Sequence, residues 1–161
     1  MKRLATTIGG LVLLLAGMQI GCWRTVVASE SPDHEHAARI KEWCIPPDCG
    51  IKAEVSSGLL PSNVGQVSDG TIVFAHIAWS PDSARVGVFI VNGYGEDIRS
   101  AYDTRTREKM PFTAVEKLVR DSIQYSYSLT ESDLLAYSGD PLVWAEKDET
   151  AHTRFRRTRQ R

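Results

Sequence analysis

The 161 residues lack a long apolar run, an excess of charge of either sign and the common catalytic signatures. The longest apolar stretch is the fourteen residues Ile8–Gly21, short of the roughly 20 that carry a helix across a bilayer. Nineteen basic residues face 20 acidic ones, a balance that by itself says nothing about partners, while the ordinary composition excludes a wholly disordered chain or a polytopic membrane protein. Twelve glycines and seven prolines are too few for collagen or for a low-complexity linker. No G-x-S-x-G, H-E-x-x-H or phosphate-loop pattern occurs. What remains is a chain of ordinary globular composition, long enough for one domain of modest core with tails.

The near-zero net charge hides three blocks. Residues 1–21 carry +2, residues 22–150 hold 12 basic against 20 acidic side chains, and residues 151–161 carry +5. The first block is Lys2-Arg3 followed by the apolar run and small residues, the layout of a secretory signal peptide. Gln19-Ile20-Gly21-Cys22 resembles the lipobox of bacterial lipoproteins, with Gln19 where leucine is usual. The resemblance implies cleavage before Cys22 and lipidation of its thiol. Val26-Val27-Ala28 offers a competing ordinary cleavage before Ser29, and an uncleaved inner-membrane anchor is the third alternative.

In an oxidising compartment Cys44 and Cys49, which enclose Ile-Pro-Pro-Asp, are natural disulfide partners. Their four-residue spacing differs from redox C-x-x-C motifs, and two cysteines alone do not make a zinc site. The expected organisation is a signal peptide over 1–21, a linker over 22–30, a domain over 31–149 and a disordered basic tail over 150–161.

Within the domain the sequence predicts an α+β fold: a small antiparallel meander of three or four strands packed with two or three helices. Ser31-Pro32-Asp33 reads as a capped helix start, with a short helix running to about Trp43. Gly58, Pro61, Ser62, Asn63 and Gly65 read as a turn-rich connection. Thr71–Trp79, Ala84–Asn92 and Ile98–Asp103 are the expected strands, separated by Ser80-Pro81-Asp82-Ser83 and by a loop marked by Asn92-Gly93 and Gly95. Thr113-Ala114-Val115-Glu116 reads as a capping box, and Phe112, Val115, Leu118, Val119 and Ile123 fall within about 140° of one helical face. Thr130–Asp133 opens a second helix closed by Gly139, and Leu142–Ala145 reads as a last buried segment after Pro141. No internal repeat is apparent.

Ala78-Trp79-Ser80-Pro81-Asp82-Ser83, with Arg85-Val86, resembles the turn of periplasmic β-propeller repeats of the WD40-like kind, and Tyr102–Thr106 resembles the strand-ending turn of such a blade. The likeness covers about 35 residues and implies one strand–turn–strand unit, since a ring takes roughly 4–8 blades. Asp82 and Asp103 then serve as turn residues bonding backbone N–H groups.

The chemistry-bearing side chains are sparse. Asp33-His34-Glu35-His36 is the most metal-like cluster, but histidines two apart on a helix point to different faces, so a solvated acidic helix start and no metal is the expectation. His76 lies in an apolar strand as a core histidine, and Glu96 and Asp97 read as exposed loop acids beside Gly93-Tyr94-Gly95. No catalytic residue and no cofactor is assigned. Arg154, Arg156, Arg157, Arg159 and Arg161 offer an electrostatic partner surface for an anionic envelope component rather than nucleic acid. The function expected is an exported, lipid-anchored, periplasm-facing envelope protein with a non-catalytic binding or structural role. The alternative is a small periplasmic hydrolase assembled from His76, Asp82 and the hairpin-loop acids, which requires those side chains to converge.

Overall fold

The computed structural model describes residues 23–45, 48–57, 60–68, 70–149 and 151–154. The signal segment, Cys22, Pro46-Pro47 and the tail from Phe155 lie outside the described residues. Among the described residues, eight strands form two antiparallel four-stranded sheets in simple sequential order. Sheet 1 contains β1 (Arg24–Glu30), β2 (Ala37–Ile45), β3 (Asp48–Ser56) and β4 (Pro61–Val67); sheet 2 contains β5 (Ile72–Trp79), β6 (Arg85–Asn92), β7 (Asp97–Asp103) and β8 (Glu108–Met110). A 3₁₀ turn at Phe112–Ala114 leads into helices α1 (Glu116–Ser126), α2 (Glu131–Leu135) and α3 (Pro141–Lys147). The α+β expectation holds, but with two sheets in place of a single meander.

The layers follow from which side chains each strand buries. On β5 and β6, paired residues share a face: Ala78 opposite Gly87, His76 opposite Phe89, Phe74 opposite Val91. This face meets the helices, since Gly87 lies under Val115 and Val119 of the 3₁₀–α1 segment and Phe74 packs on Tyr127. The other face, with Ala75, Ile77, Val86, Val88 and Ile90, meets sheet 1. There Gly65 of β4 abuts Ser100 and Ile98 of β7, and Ser62 Oγ lies 3.0 Å from the Tyr102 hydroxyl. Sheet 2 is therefore the middle layer, and its strands β5 and β6 bury residues on both faces while β3 of sheet 1 alternates. Glu42 joins the two sheets by accepting the Ile72 N–H at 3.0 Å.

Several expectations are corrected here. Residues 31–43 are not a helix but a tight turn followed by β2. The Ser31 hydroxyl accepts the His36 N–H at 3.0 Å and lies 2.5 Å from the Asp33 carboxylate, which takes the Glu35 N–H. These local bonds occupy groups a helix would have used, and His34 at φ 61° reverses the chain. Ala38, Ile40 and Glu42 then bury with period two. The expected linker is β1, which pairs with β2 and packs Val26 and Val27 against the core. The turn-rich stretch after Gly58 is β4, where Gly65 is needed because a Cβ would come within 2.7 Å of Ser100 Oγ. The Thr113 capping box does not form: α1 starts after Val115 with no side-chain cap, and Glu116 pairs with Arg120 instead. Pro141 opens α3 behind an Asp140 cap. Residues 151–154 are helical with Ala151 fully buried, so the fold runs past the expected start of the tail.

A repeat is also present. Ser80 and Asp82 reproduce the Ser31–Asp33 turn 49 positions later: Ser80 Oγ accepts the Arg85 N–H at 2.9 Å and approaches Asp82 at 2.6 Å, Asp82 accepts the Ala84 N–H at 3.2 Å, and Ser83 takes φ 58°. Each turn joins the first two strands of its sheet. The two turns touch, for the Asp33 N–H donates to Ser83 Oγ at 3.1 Å. The two turns have the same length, each closing between the serine and the residue five positions on, but share only the identities Ser-Pro-Asp.

The α2 cap is as expected, with Thr130 and Asp133 forming a reciprocal capping box, and Gly139 at φ 75° donates to the Leu134 carbonyl.

Two stability outcomes follow. Gly87→Val places methyl groups where a Cβ alone would already lie 2.4 Å from Val119, so a urea midpoint should fall by the equivalent of about 1–3 kcal/mol. Ser31 is 1% exposed; Ser31→Ala removes the acceptor of the part-buried His36 N–H and should cost about 1–3 kcal/mol, while Ser80→Ala, in the more open copy, should cost about 0.5–1.5 kcal/mol in the same titration.

Candidate functional site

The chemistry-bearing residues occupy three places. The first is the layer between β5 and α1. His76 Nε2 lies 2.9 Å from Ser122 Oγ, with the Tyr127 ring 6.3 Å away and Trp144 packed behind that ring at 5.3 Å. Burial pushes the imidazole down to about 4 because the charged form loses its solvation. The Tyr127 phenol is pushed up to about 12 for the same reason. A neutral imidazole bonded to a helix hydroxyl is a paired polar group in an apolar layer, as the strand context of His76 implied.

The acids named with His76 in the hydrolase alternative do not reach it. Asp82 sits in the β5–β6 turn, where hydrogen bonds from the Ser80 hydroxyl and the Ala84 N–H hold its carboxyl below the usual range and Arg105 pairs with it at 3.0 Å. Glu96 lies at the opposite end of the eight-residue β6, accepting from Asn92 Nδ2 at 3.0 Å, roughly 25 Å from Asp82 at the ~3.3 Å rise of a strand. Asp97 pairs with Arg99. Asp103 accepts the N–H groups of Thr106 and Arg105, which lower its carboxyl. The shallow depression lined by Asp121, Gln124, Tyr125, Ser126, Ser128 and Leu129 includes neither His76 nor Ser122.

The second place is the first Ser-Pro-Asp turn. Asp33, Glu35 and His36 bring their ligating atoms within 4.8 Å of one another. His34 points elsewhere and pairs with Glu30 at 3.0 Å, while His36 stacks on Trp79 with 18° between the rings. The two histidines thus point in separate directions, but from a turn and not from the expected helix. Asp33 is engaged by the Ser31 hydroxyl and the Glu35 N–H, which hold its carboxyl below the ordinary value.

The third place was not singled out from the sequence. Because Ile40, Ile51, Ala53 and Val55 point into the core, Lys41, Trp43, Lys52 and Glu54 must point to the outer face of sheet 1. Trp43 lies flat on Gly50, where a Cβ would come 2.1 Å from its Nε1. Trp23 packs on Trp43 with 5.9 Å between centroids, and Lys52 Nζ stands 4.1 Å over the Trp23 ring, within cation–π range. Lys41 and Lys52 both pair with Glu54, at 2.6 and 2.7 Å. Burial raises the Glu54 carboxyl, but the bonds from Lys41 and Lys52 outweigh it and leave it below its usual value. The alternation over Ala37–Ile45 was the signal that could have placed Lys41 and Trp43 together. Beside them a disulfide joins Cys44 and Cys49 across the β2–β3 hairpin, at directly opposed positions.

Comparisons with protein families, with curated proteins and with solved structures find no match to this chain.

The pH dependence follows from His76. Its ordinary value near 6.5 applies when unfolded and about 4 when folded, so the unfolded chain binds the proton first as pH falls. Its contribution to stability is complete above pH 6.5 and is lost as pH falls toward 4. Denaturant midpoints taken across that window should decline for the wild type, and His76→Gln should flatten the decline.

Proposed function

We propose that this chain is an exported bacterial envelope protein, lipid-anchored at Cys22 and facing the periplasm, whose folded part serves a non-catalytic binding or structural role. The observation that supports this reading is where the fold starts. β1 spans Arg24–Glu30, and Thr25, Val27 and Ala28 are paired with Lys41, Ile40 and Arg39. Cleavage before Ser29 would remove five of its seven residues and uncover the edge of β2. Cleavage before Cys22 keeps the whole strand, so the fold favours the lipobox-like position over Val26-Val27-Ala28. The Cys44–Cys49 bridge suits an oxidising compartment. The separation of His76 from Asp82 and Glu96 takes away the constellation on which the hydrolase alternative depended.

Intact mass spectrometry of the membrane fraction tests the reading. A mature chain beginning at Cys22 with acyl chains attached is the expected result, and Cys22→Ser should leave an unacylated precursor. A mature start at Ser29 refutes the anchor, and an intact Met1 replaces it with the uncleaved segment.

A further inference from the structure

We propose that the outer face of sheet 1, at the corner formed by Trp23, Trp43, Lys41 and Lys52, lies against the phospholipid headgroup layer. The inference rests on the anchored reading above and adds which surface of the fold meets the membrane. Tether length is the first argument. Trp23 follows Cys22 directly and stands two positions after the apolar run ending at Gly21. Consecutive Cα atoms are about 3.8 Å apart, so whether the chain is held by acyl groups on Cys22 or by the uncleaved apolar segment, Trp23 is held at the boundary. The fold begins there with no spacer, since β1 starts at Arg24.

The composition of that corner is the second argument. Two half-buried indoles pack against each other, tilted by 58°, on the solvent side of the sheet. Indoles partition to the interface between hydrocarbon and water, where a flat apolar body and one N–H are both accommodated. Lys41 and Lys52 extend along the same face, sharing the single carboxylate of Glu54. The trio thus carries one net positive charge toward a surface whose anionic lipids attract lysine. Lysine stems can lie along apolar surface with the ammonium directed to the headgroups. Gly50 lets Trp43 lie flat, and the disulfide pins the hairpin that carries it, so the corner is a rigid shelf.

The test uses the mature chain purified from membranes and reconstituted into phosphatidylethanolamine–phosphatidylglycerol vesicles, with and without lipids brominated high on the acyl chain. The four tryptophans report separately through substitution. Trp23 and Trp43 emission should be quenched by the brominated lipid, while Trp79 and Trp144, between the layers, should not. In the Trp23→Phe/Trp43→Phe chain the quenching should vanish with far-UV circular dichroism unchanged. Should the removal of Trp43 from Gly50 unfold the chain, Trp23→Phe alone, outside the sheet, should still lose part of the quenching, and Lys52→Glu should weaken it. An acylated chain starting at Cys22 whose tryptophans are not quenched overturns the proposed face and leaves the anchor standing. Quenching equal at all four tryptophans also overturns it, as does protection of Trp23 and Trp43 by a protein partner. A mature start at Ser29, which discards Trp23, overturns both readings.

Discussion

β5 and β6 bury side chains on both faces, and the elements packed on them are placed by the need to cover one face or the other. Sheet 1 covers Ala75, Ile77, Val86, Val88 and Ile90; the α1–α3 layer covers Phe74, His76, Gly87 and Phe89. Burying apolar surface on two sides of one sheet is the main favourable term available to a chain of this size. It also explains the small residues at the contacts. Gly65 and Gly87 sit where the neighbouring layer comes closer than a Cβ permits, so each layer's spacing is set by a missing side chain.

The polar groups serve that packing. The Ser-Pro-Asp turns reverse the chain between the first two strands of each sheet, and their contact through Asp33 and Ser83 holds the two sheets at one end. His76 reaches from β5 to Ser122 of α1, and Arg99 reaches Glu146 of α3 at 2.7 Å while lying over Phe89. Paired polar atoms of this kind specify how layers meet. The outer corner of sheet 1 is different, because its indoles and lysines cover no further layer among the described residues.

Long segments of one character were legible in the sequence. β5, β6 and β7 were read within about a residue because β-branched and apolar residues run unbroken between turn residues, and Val115, Val119 and Ile123 do face the core. The disulfide was legible from the short Pro-rich loop. Sheet 1 was not. Its strands alternate, and Ala37, Ile40 and Lys41 fit a helical period as well as a strand period; only pairing with β1 and β3 separates the two. Gly65 and Pro61 look like turn residues until β7 is seen lying against them. The recurring turn is not visible in the sequence because its backbone hydrogen bonding repeats while only three residue identities do.

The sequence alone determined the local features whose causes are local: the apolar run and Cys22 at one end, the basic tail at the other, the Asp82 and Asp103 turns, the Thr130 cap, the β5 and β6 strands and the Cys44–Cys49 staple. Tertiary structure decided what depends on partners distant in the chain. It made the presumed helix after Ser31 a strand, built β1 directly behind Cys22, kept His76 apart from Asp82 and Glu96, and set Trp23, Trp43 and Lys52 on one face. The reason is that period, cap and turn are settled by neighbours a few residues away, whereas the face a strand buries is settled by whichever sheet or helix comes to cover it.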